Sequence, residues 1–272
     1  MLRRWPGRRD HHRGERTLTA GAAFFDLDKT LMEGSSAFHF ARASYKAGQL
    51  SRRQIASDAW ANVKFRLQGS TDEATDQLRA RVYEAIAGRR VLDLARLTPE
   101  ILAGILPRLY PQMLDVAWRH QDAGRKVYIV TAASQEIADL LATVLVFDGG
   151  IGARSEVRDG VYTGRPEGPF TYRDGKAEAI RQVAAREGID LSESWAYSDS
   201  ESDLPMLRTV GHPVAVNPDS ELARVAREEG WEIMRFDRLG RRLRLVAGAA
   251  TIGLLGVGGG YLGPRVWRRV TD

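Results

Sequence analysis

Four strand ends or helix starts, built from acids, hydroxyls and one lysine, alternate with helical patterns along this chain, and their order constrains the fold more than any other feature. The first follows an apolar run, residues 21–25, and reads Asp26-Leu27-Asp28-Lys29-Thr30-Leu31. In the second, residues 126–130 lead into Thr131-Ala132-Ala133-Ser134, a hydroxyl and small residues expected at a helix start. Lys176, in Asp174-Gly175-Lys176-Ala177, opens the next amphipathic helix. The last is Ser198-Asp199-Ser200-Glu201-Ser202-Asp203-Leu204-Pro205-Met206-Leu207, after the apolar residues 195–197. Short apolar runs bounded by such residues read as buried strands. Strands alternating with helices predict a doubly wound, mostly parallel α/β sheet with crossover helices. In such a sheet the groups that do chemistry gather at the carboxyl edge.

Two carboxylates at one strand end repel unless a cation or proton lies between them. A divalent metal with oxygen ligands removes that cost and creates an electrophilic centre for phosphate. A lone Asp-x-Asp is equally an acidic helix cap, and Asp199 with Asp203 is equally an N-terminal pair facing a helix dipole. Their joint occurrence at two strand ends favours chemistry over capping. Asp203 follows Asp199 by four residues, so one helical turn would keep both on one site. A hydroxyl with backbone N–H groups at Thr131 offers an anion site.

In this order the motifs resemble those of the haloacid dehalogenase superfamily of phosphatases, and within it the phosphoserine-phosphatase-like branch; the resemblance spans roughly residues 22–236. It implies a Rossmann-like core and hydrolysis of a small-molecule phosphomonoester through an aspartyl phosphate. It implies Asp26 as nucleophile, Asp28 as general acid/base, and Thr131 and Lys176 as the phosphate clamp. It also implies magnesium held by the Asp26 carboxylate, the Asp28 carbonyl and Asp199, with Ser202 and Asp203 orienting those ligands. Phosphoserine phosphatases of this branch place a glutamate nine residues after the nucleophile to receive the substrate's ammonium. Here that position is Ser35, with Glu33 two residues early and Arg66 the best cap candidate for a substrate carboxylate. Asp28-Lys29-Thr30 also looks like the phosphorylation sequence of P-type ion pumps, but those continue with Gly-Thr and need many membrane spans.

The organisation expected is a core of residues 21–34 and 108–237 with a helical cap at 35–107, where Ile55, Ala59 and Val63, beside Ala56, Trp60 and Leu67, form apolar stripes. Residues 153–157 and 161–163 read as a hairpin about Asp159-Gly160, and 213–216 and 231–236 as further strands.

Net charge is +5, yet the ends carry it: +4 in the arginine-rich residues 1–16, read within a disordered tail at 1–20, and +6 in residues 238–272. The middle, at −5, argues against nucleic-acid recognition by the fold. There are no cysteines, so disulfides and thiolate metal sites are excluded.

Residues 245–263 are uncharged, flanked by arginines, and long enough to cross a bilayer as one helix, although seven of the nineteen are glycine. A tail anchor leaving the catalytic domain in the cytosol is one expectation, and a packed or flexible tail the other. Retention in membranes through an alkaline wash would mark insertion, whereas salt would release an arginine-only contact. A catalytically silent membrane adaptor keeping this fold is the alternative to an enzyme, and the full set of acids with Thr131 and Lys176 speaks against it.

Overall fold

The computed structural model describes residues 21–51, 79–80 and 83–236. Contacts divide the chain after Ile233, and all described elements except the end of the last strand lie in the first unit. Its centre is a six-stranded sheet in the order β3-β2-β1-β6-β7-β8. The strands are β1 (Ala23–Asp26), β2 (Val127–Ser134), β3 (Gly149–Ala153), β6 (Trp195–Ser198), β7 (His212–Val216) and β8 (Glu232–Met234). A separate hairpin joins β4 (Ser155–Arg158) and β5 (Val161–Pro166). β1 pairs in parallel with β2 on one side and β6 on the other, β2 pairs with β3, and β6 with β7, also in parallel. The chain first builds outward from β1 through β2 to β3, then returns to build β6 and β7 on the opposite side. The carboxyl ends of β1 and β6 therefore flank the point where strand order reverses, where α/β sheets form a crevice.

β1 is buried on both faces, which explains why it reads as an unbroken apolar run rather than an alternating one. Phe24 faces the core that includes Tyr128, Val130, Ile180, Val183, Met206 and Leu207. Phe25 stacks on Tyr197, with ring centroids 4.4 Å apart, and meets His120 and Phe147. Thus the residues immediately before Asp26 and Ser198 are locked together below the carboxyl edge, so the acids beyond them are presented on a rigid base.

His120 bonds Tyr197 through Nε2 at 2.7 Å, while its Nδ1 accepts from Arg125 Nε at 2.8 Å. The Arg125 bond makes Nδ1 the acceptor and leaves the proton on Nε2 for Tyr197. Burial, reinforced by Arg125 and Arg119, lowers the His120 pKa to about 4. Protons then bind the unfolded chain first as pH falls below about 6.5, so this residue's contribution to stability is complete above that pH and is lost toward pH 4. We expect about 2 kcal/mol of the stability lost between pH 7 and pH 5 to arise here. Urea titrations at both pH values, parent beside His120→Gln, should show a shallower pH dependence in the variant; equal dependence would exclude His120 as the source.

Helices of the expected kind cover the sheet: Pro111–Asp122, Gln135–Leu145, Asp174–Glu187 and Ser220–Glu228. Between β1 and β2 lie the helices Ser36–Lys46, Val91–Ala95 and Thr98–Ile105, the first packing on the last so closely that a Cβ on Gly104 would come within 2.2 Å of His39 Nδ1. The described part of the segment expected as a cap is helical, while Ile55, Ala56, Ala59, Trp60, Val63, Arg66 and Leu67 lie outside the described residues.

The hairpin turns at Asp159-Gly160 with φ of 50° and 76°, the paired positive values of a type I′ turn. It begins later than expected: Ala153 belongs to β3, a main-sheet strand absent from the sequence reading. Residues 88–91 bond alongside the hairpin, with Gly88 N and Val91 N donating to Tyr162 O and Gly160 O at 2.8 and 2.9 Å. Among the described residues no helix is long and apolar enough to cross a membrane, and residues 1–20 and 245–263 lie outside them.

Candidate active site

Asp26 ends β1 with only 6% of its surface exposed, and its Oδ1 accepts a 2.6 Å bond from Lys176 Nζ. The lysine comes from the first turn of Asp174–Glu187, 150 residues later, and donates a second bond of 2.7 Å to Asp203 Oδ2. Ser198 Oγ, at the end of β6, donates to the same Asp203 oxygen at 2.6 Å. Three elements from distant parts of the chain are thereby joined in one buried network. The helix bearing Lys176 starts tightly: a Cβ on Gly175 would fall 1.7 Å from the Phe170 carbonyl oxygen, so only glycine allows that approach. Its N-cap, Arg173, has φ 52° and ψ −123°, a strained backbone one turn before the lysine.

Burial raises the Asp26 pKa, Lys176 opposes the rise, and Asp203, Asp199 and Asp28 add to it. For Lys176, burial lowers the pKa, yet Asp203 and Asp26 together hold it above its ordinary value. Both directions describe one situation, a permanently charged lysine shared among more carboxylates than it can neutralise. Asp199, also buried, is raised to about 6 by burial, with Lys29 opposing and Asp203 assisting.

Lys29 Nζ lies 3.5 Å from Asp199 Oδ2, from a residue with φ 60° in the turn after β1. Leu31 N and Met32 N donate to Leu27 O at 3.1 and 3.0 Å and close that turn. Asp28 is half-buried; its Oδ1 accepts from Ser36 N at 2.8 Å and its Oδ2 from Ser35 Oγ at 3.1 Å.

Two sequence expectations are corrected in detail. Thr131 does not open a helix: β2 continues through Ser134 and the helix starts at Gln135. The reason is a register irregularity between Val130 and Ser134, across which the Gln135 side chain bonds Gly150 O and Gly152 N as a peptide group would. Thr131 still lies at the carboxyl edge, one residue beyond the Asp26↔Val130 pair, with its Oγ1 accepting from Ala133 N at 3.1 Å. Nor does one helical turn join Asp199 to Asp203; Ser200 caps a 3-10 turn at Glu201–Asp203 that swings Asp203 to Lys176 and leaves Asp199 facing Lys29. Ser202 joins Ser200 through a 3.1 Å hydroxyl contact.

Residues the sequence reading passed over complete the site. Thr171 Oγ1 donates to Thr131 O at 2.7 Å. Asp219 holds the loop bearing Asp199: its N–H donates to Asp199 O at 2.9 Å and its Oδ2 accepts from Glu201 N at 3.0 Å.

Among the described residues no three His, Cys, Asp or Glu side chains converge as a ligand cage. The donors gathered at this edge are carboxylates, which are hard oxygens. Asp26, Asp199 and Asp203 are buried and Asp28 half-buried against one buried lysine, and Asp203 Oδ1 is buried with no hydrogen-bond partner. That surplus of buried negative charge fits a hard divalent cation such as magnesium, which takes a few carboxylates and completes its shell with water and phosphate.

Comparison with known proteins gives the family. The haloacid dehalogenase-like hydrolase family matches residues 23–208. A phosphoserine phosphatase of Mycobacterium tuberculosis (strain ATCC 25618 / H37Rv) is 40% identical over 261 residues, covering 93% of this chain and 82% of that protein. A histidinol-phosphatase of Neisseria meningitidis is 30% identical over 219 residues, 79% of this chain and 98% of that protein. A solved protein of unknown function from Bordetella pertussis superposes with a TM-score of 0.71 at 29% identity, covering 79% of this chain and 98% of its own. A phosphoserine phosphatase solved as a phospho-aspartyl intermediate analogue, 20% identical with a TM-score of 0.54, shares the fold. The chain belongs to the haloacid dehalogenase-like hydrolases and is a phosphatase.

Proposed function

We propose that the chain hydrolyses a small phosphomonoester in two steps with magnesium bound. The observation that carries this reading is Lys176 bridging Asp26 and Asp203 inside the crevice, since a buried lysine on a buried carboxylate opposes the rise that burial imposes on its pKa and aims its oxygen. The Asp26 carboxylate attacks phosphorus, and the bond to the leaving oxygen breaks as Asp28 gives that oxygen a proton. Asp28, now ionised, takes a proton from the water that attacks the aspartyl phosphate, releasing inorganic phosphate and restoring Asp26. Thr131 and Lys176 hold the transferring oxygens. Asp26, Asp199 and the Asp28 carbonyl would hold magnesium, which offsets charge on the phosphoryl group, while Ser202 and Asp203 support that arrangement. Residues 35–107 act as the cap over residues 21–34 and 108–237.

The named relatives act on phosphoserine and histidinol phosphate, both amines, but Ser35 supplies no negative charge where the branch places its glutamate. Phosphoserine is therefore not the preferred substrate. The test is phosphate release from phosphoserine beside sugar, nucleotide and lipid-headgroup phosphates, with magnesium, after EDTA, and after magnesium is restored. Activity should vanish on chelation and return with the metal. Turnover surviving thorough chelation would remove the metal from the reading, and a kcat/KM for phosphoserine well above the panel would overturn the substrate inference.

A further inference from the structure

Ser35 occupies an N-cap position, yet its hydroxyl makes no capping bond to its own helix, Ser36–Lys46. A serine there ordinarily accepts from a backbone N–H two or three residues on. This one instead donates to Asp28 Oδ2 at 3.1 Å, while the first N–H of the helix, from buried Ser36, donates to Asp28 Oδ1 at 2.8 Å. No acidic residue stands in the first turn of that helix, so Asp28 supplies the carboxylate that faces its N-terminal N–H groups. Both oxygens of Asp28 are held, and its side chain is tied to the N-terminus of the helix Ser36–Lys46.

We propose that Ser35 is a positioning residue for Asp28, fixing the carboxyl group that serves the leaving oxygen. The inference rests on the acid/base role proposed for Asp28. A hydroxyl suits that task because it donates to one carboxyl oxygen, carries no charge, and need not take the proton that Asp28 delivers to the leaving oxygen. A glutamate at this position could only accept when ionised and would repel ionised Asp28. The position that in the phosphoserine phosphatases of this branch receives a substrate ammonium is thus turned inward, toward the catalytic machinery.

The leaving group provides the test. Nitrophenolate departs without help from an acid, whereas an alkoxide needs a proton as it leaves. Values of kcat/KM, which report the steps through phosphoryl transfer to the enzyme, are measured for p-nitrophenyl phosphate and glycerol 2-phosphate on the full chain with magnesium. Ser35→Ala should lose about tenfold more on the alkyl ester than on the aryl ester, the scale of one hydrogen bond to a charged group. Ser35→Thr should restore the ratio, and Asp28→Asn should show the same selective loss in larger measure. Equal losses on both esters in Ser35→Ala, beside a selective Asp28→Asn, would overturn the positioning role and leave the Asp28 assignment standing. A non-selective Asp28→Asn would overturn both. Should Ser35→Ala fail to fold, the isosteric pair Ser35→Thr and Ser35→Val makes the same comparison with and without the hydroxyl.

Discussion

Asp26→Asn is expected to leave a folded protein whose turnover falls by about 10⁴-fold or more, the scale on which removal of a covalent nucleophile acts. The amide has no lone pair basic enough to attack phosphorus, so no aspartyl phosphate forms and the two-step route closes. The fold should survive for an electrostatic reason. Burial and the charges of Asp203, Asp199 and Asp28 all work against an ionised Asp26, with Lys176 the opposing influence. Asparagine removes the disfavoured charge, its carbonyl oxygen can still accept from Lys176, and the lysine keeps Asp203. The thermal midpoint should therefore stay at or above that of the parent. Asp28→Asn should behave differently, losing about 10²–10⁴-fold while still forming some intermediate, since it lacks the proton shuttle and keeps the nucleophile. Acid-quenched reactions should then trap phosphorylated protein in Asp28→Asn and none in Asp26→Asn. Full turnover in a folded Asp26→Asn would end the nucleophile assignment.

How much of this site was legible beforehand depended on what each residue does for the backbone. β1 and β6 were readable because they are buried on both faces, which leaves an unbroken apolar signature, and their acids stand out directly after it. Thr131 was placed at a helix start because Ala132, Ala133 and Ser134 carry little strand propensity; β2 continues there only because Gln135 replaces ladder bonds across an irregularity in register. β3 was missed for a related reason. Gly149-Gly150-Ile151-Gly152 carries little strand propensity, but its glycines answer to packing, since a Cβ on Gly150 would lie 2.2 Å from the Ala138 carbonyl carbon and one on Gly152 2.7 Å from Gln135 Cα. Local propensity cannot report a demand that another element imposes. Ser35 was read for the charge it lacks, and its bond to Asp28 exists only once the turn between them has folded. Asp219 gives no signal at all, because its partners Asp199 and Glu201 are joined to it across the carboxyl ends of two neighbouring strands.

Lys176→Met should damage stability and activity together. Methionine matches the lysine stem in length and keeps its packing among buried neighbours, so what it deletes is the charge. Asp26 and Asp203 would then face each other in a buried crevice with Asp199 beside them and no internal cation. Breaking a buried ion pair from one side costs about 3–5 kcal/mol, because the partner is left charged and unpaired. For a domain of this size the thermal midpoint should fall by roughly 10 °C. Activity should fall by several orders of magnitude as well, since the nucleophile loses the charge that favours its ionised form and the phosphoryl oxygens lose a clamp. Adding Asp203→Asn to Lys176→Met separates the two effects. The double variant has one buried charge fewer and should recover part of the lost stability, yet it still lacks the ammonium at Asp26 and should remain inactive. Thermal melts and phosphate release on both variants decide the matter. A Lys176→Met protein as stable as the parent would show that the bridge contributes nothing net to the fold, and a double variant that regained turnover would show that Lys176 acts only as a structural counter-charge to Asp203.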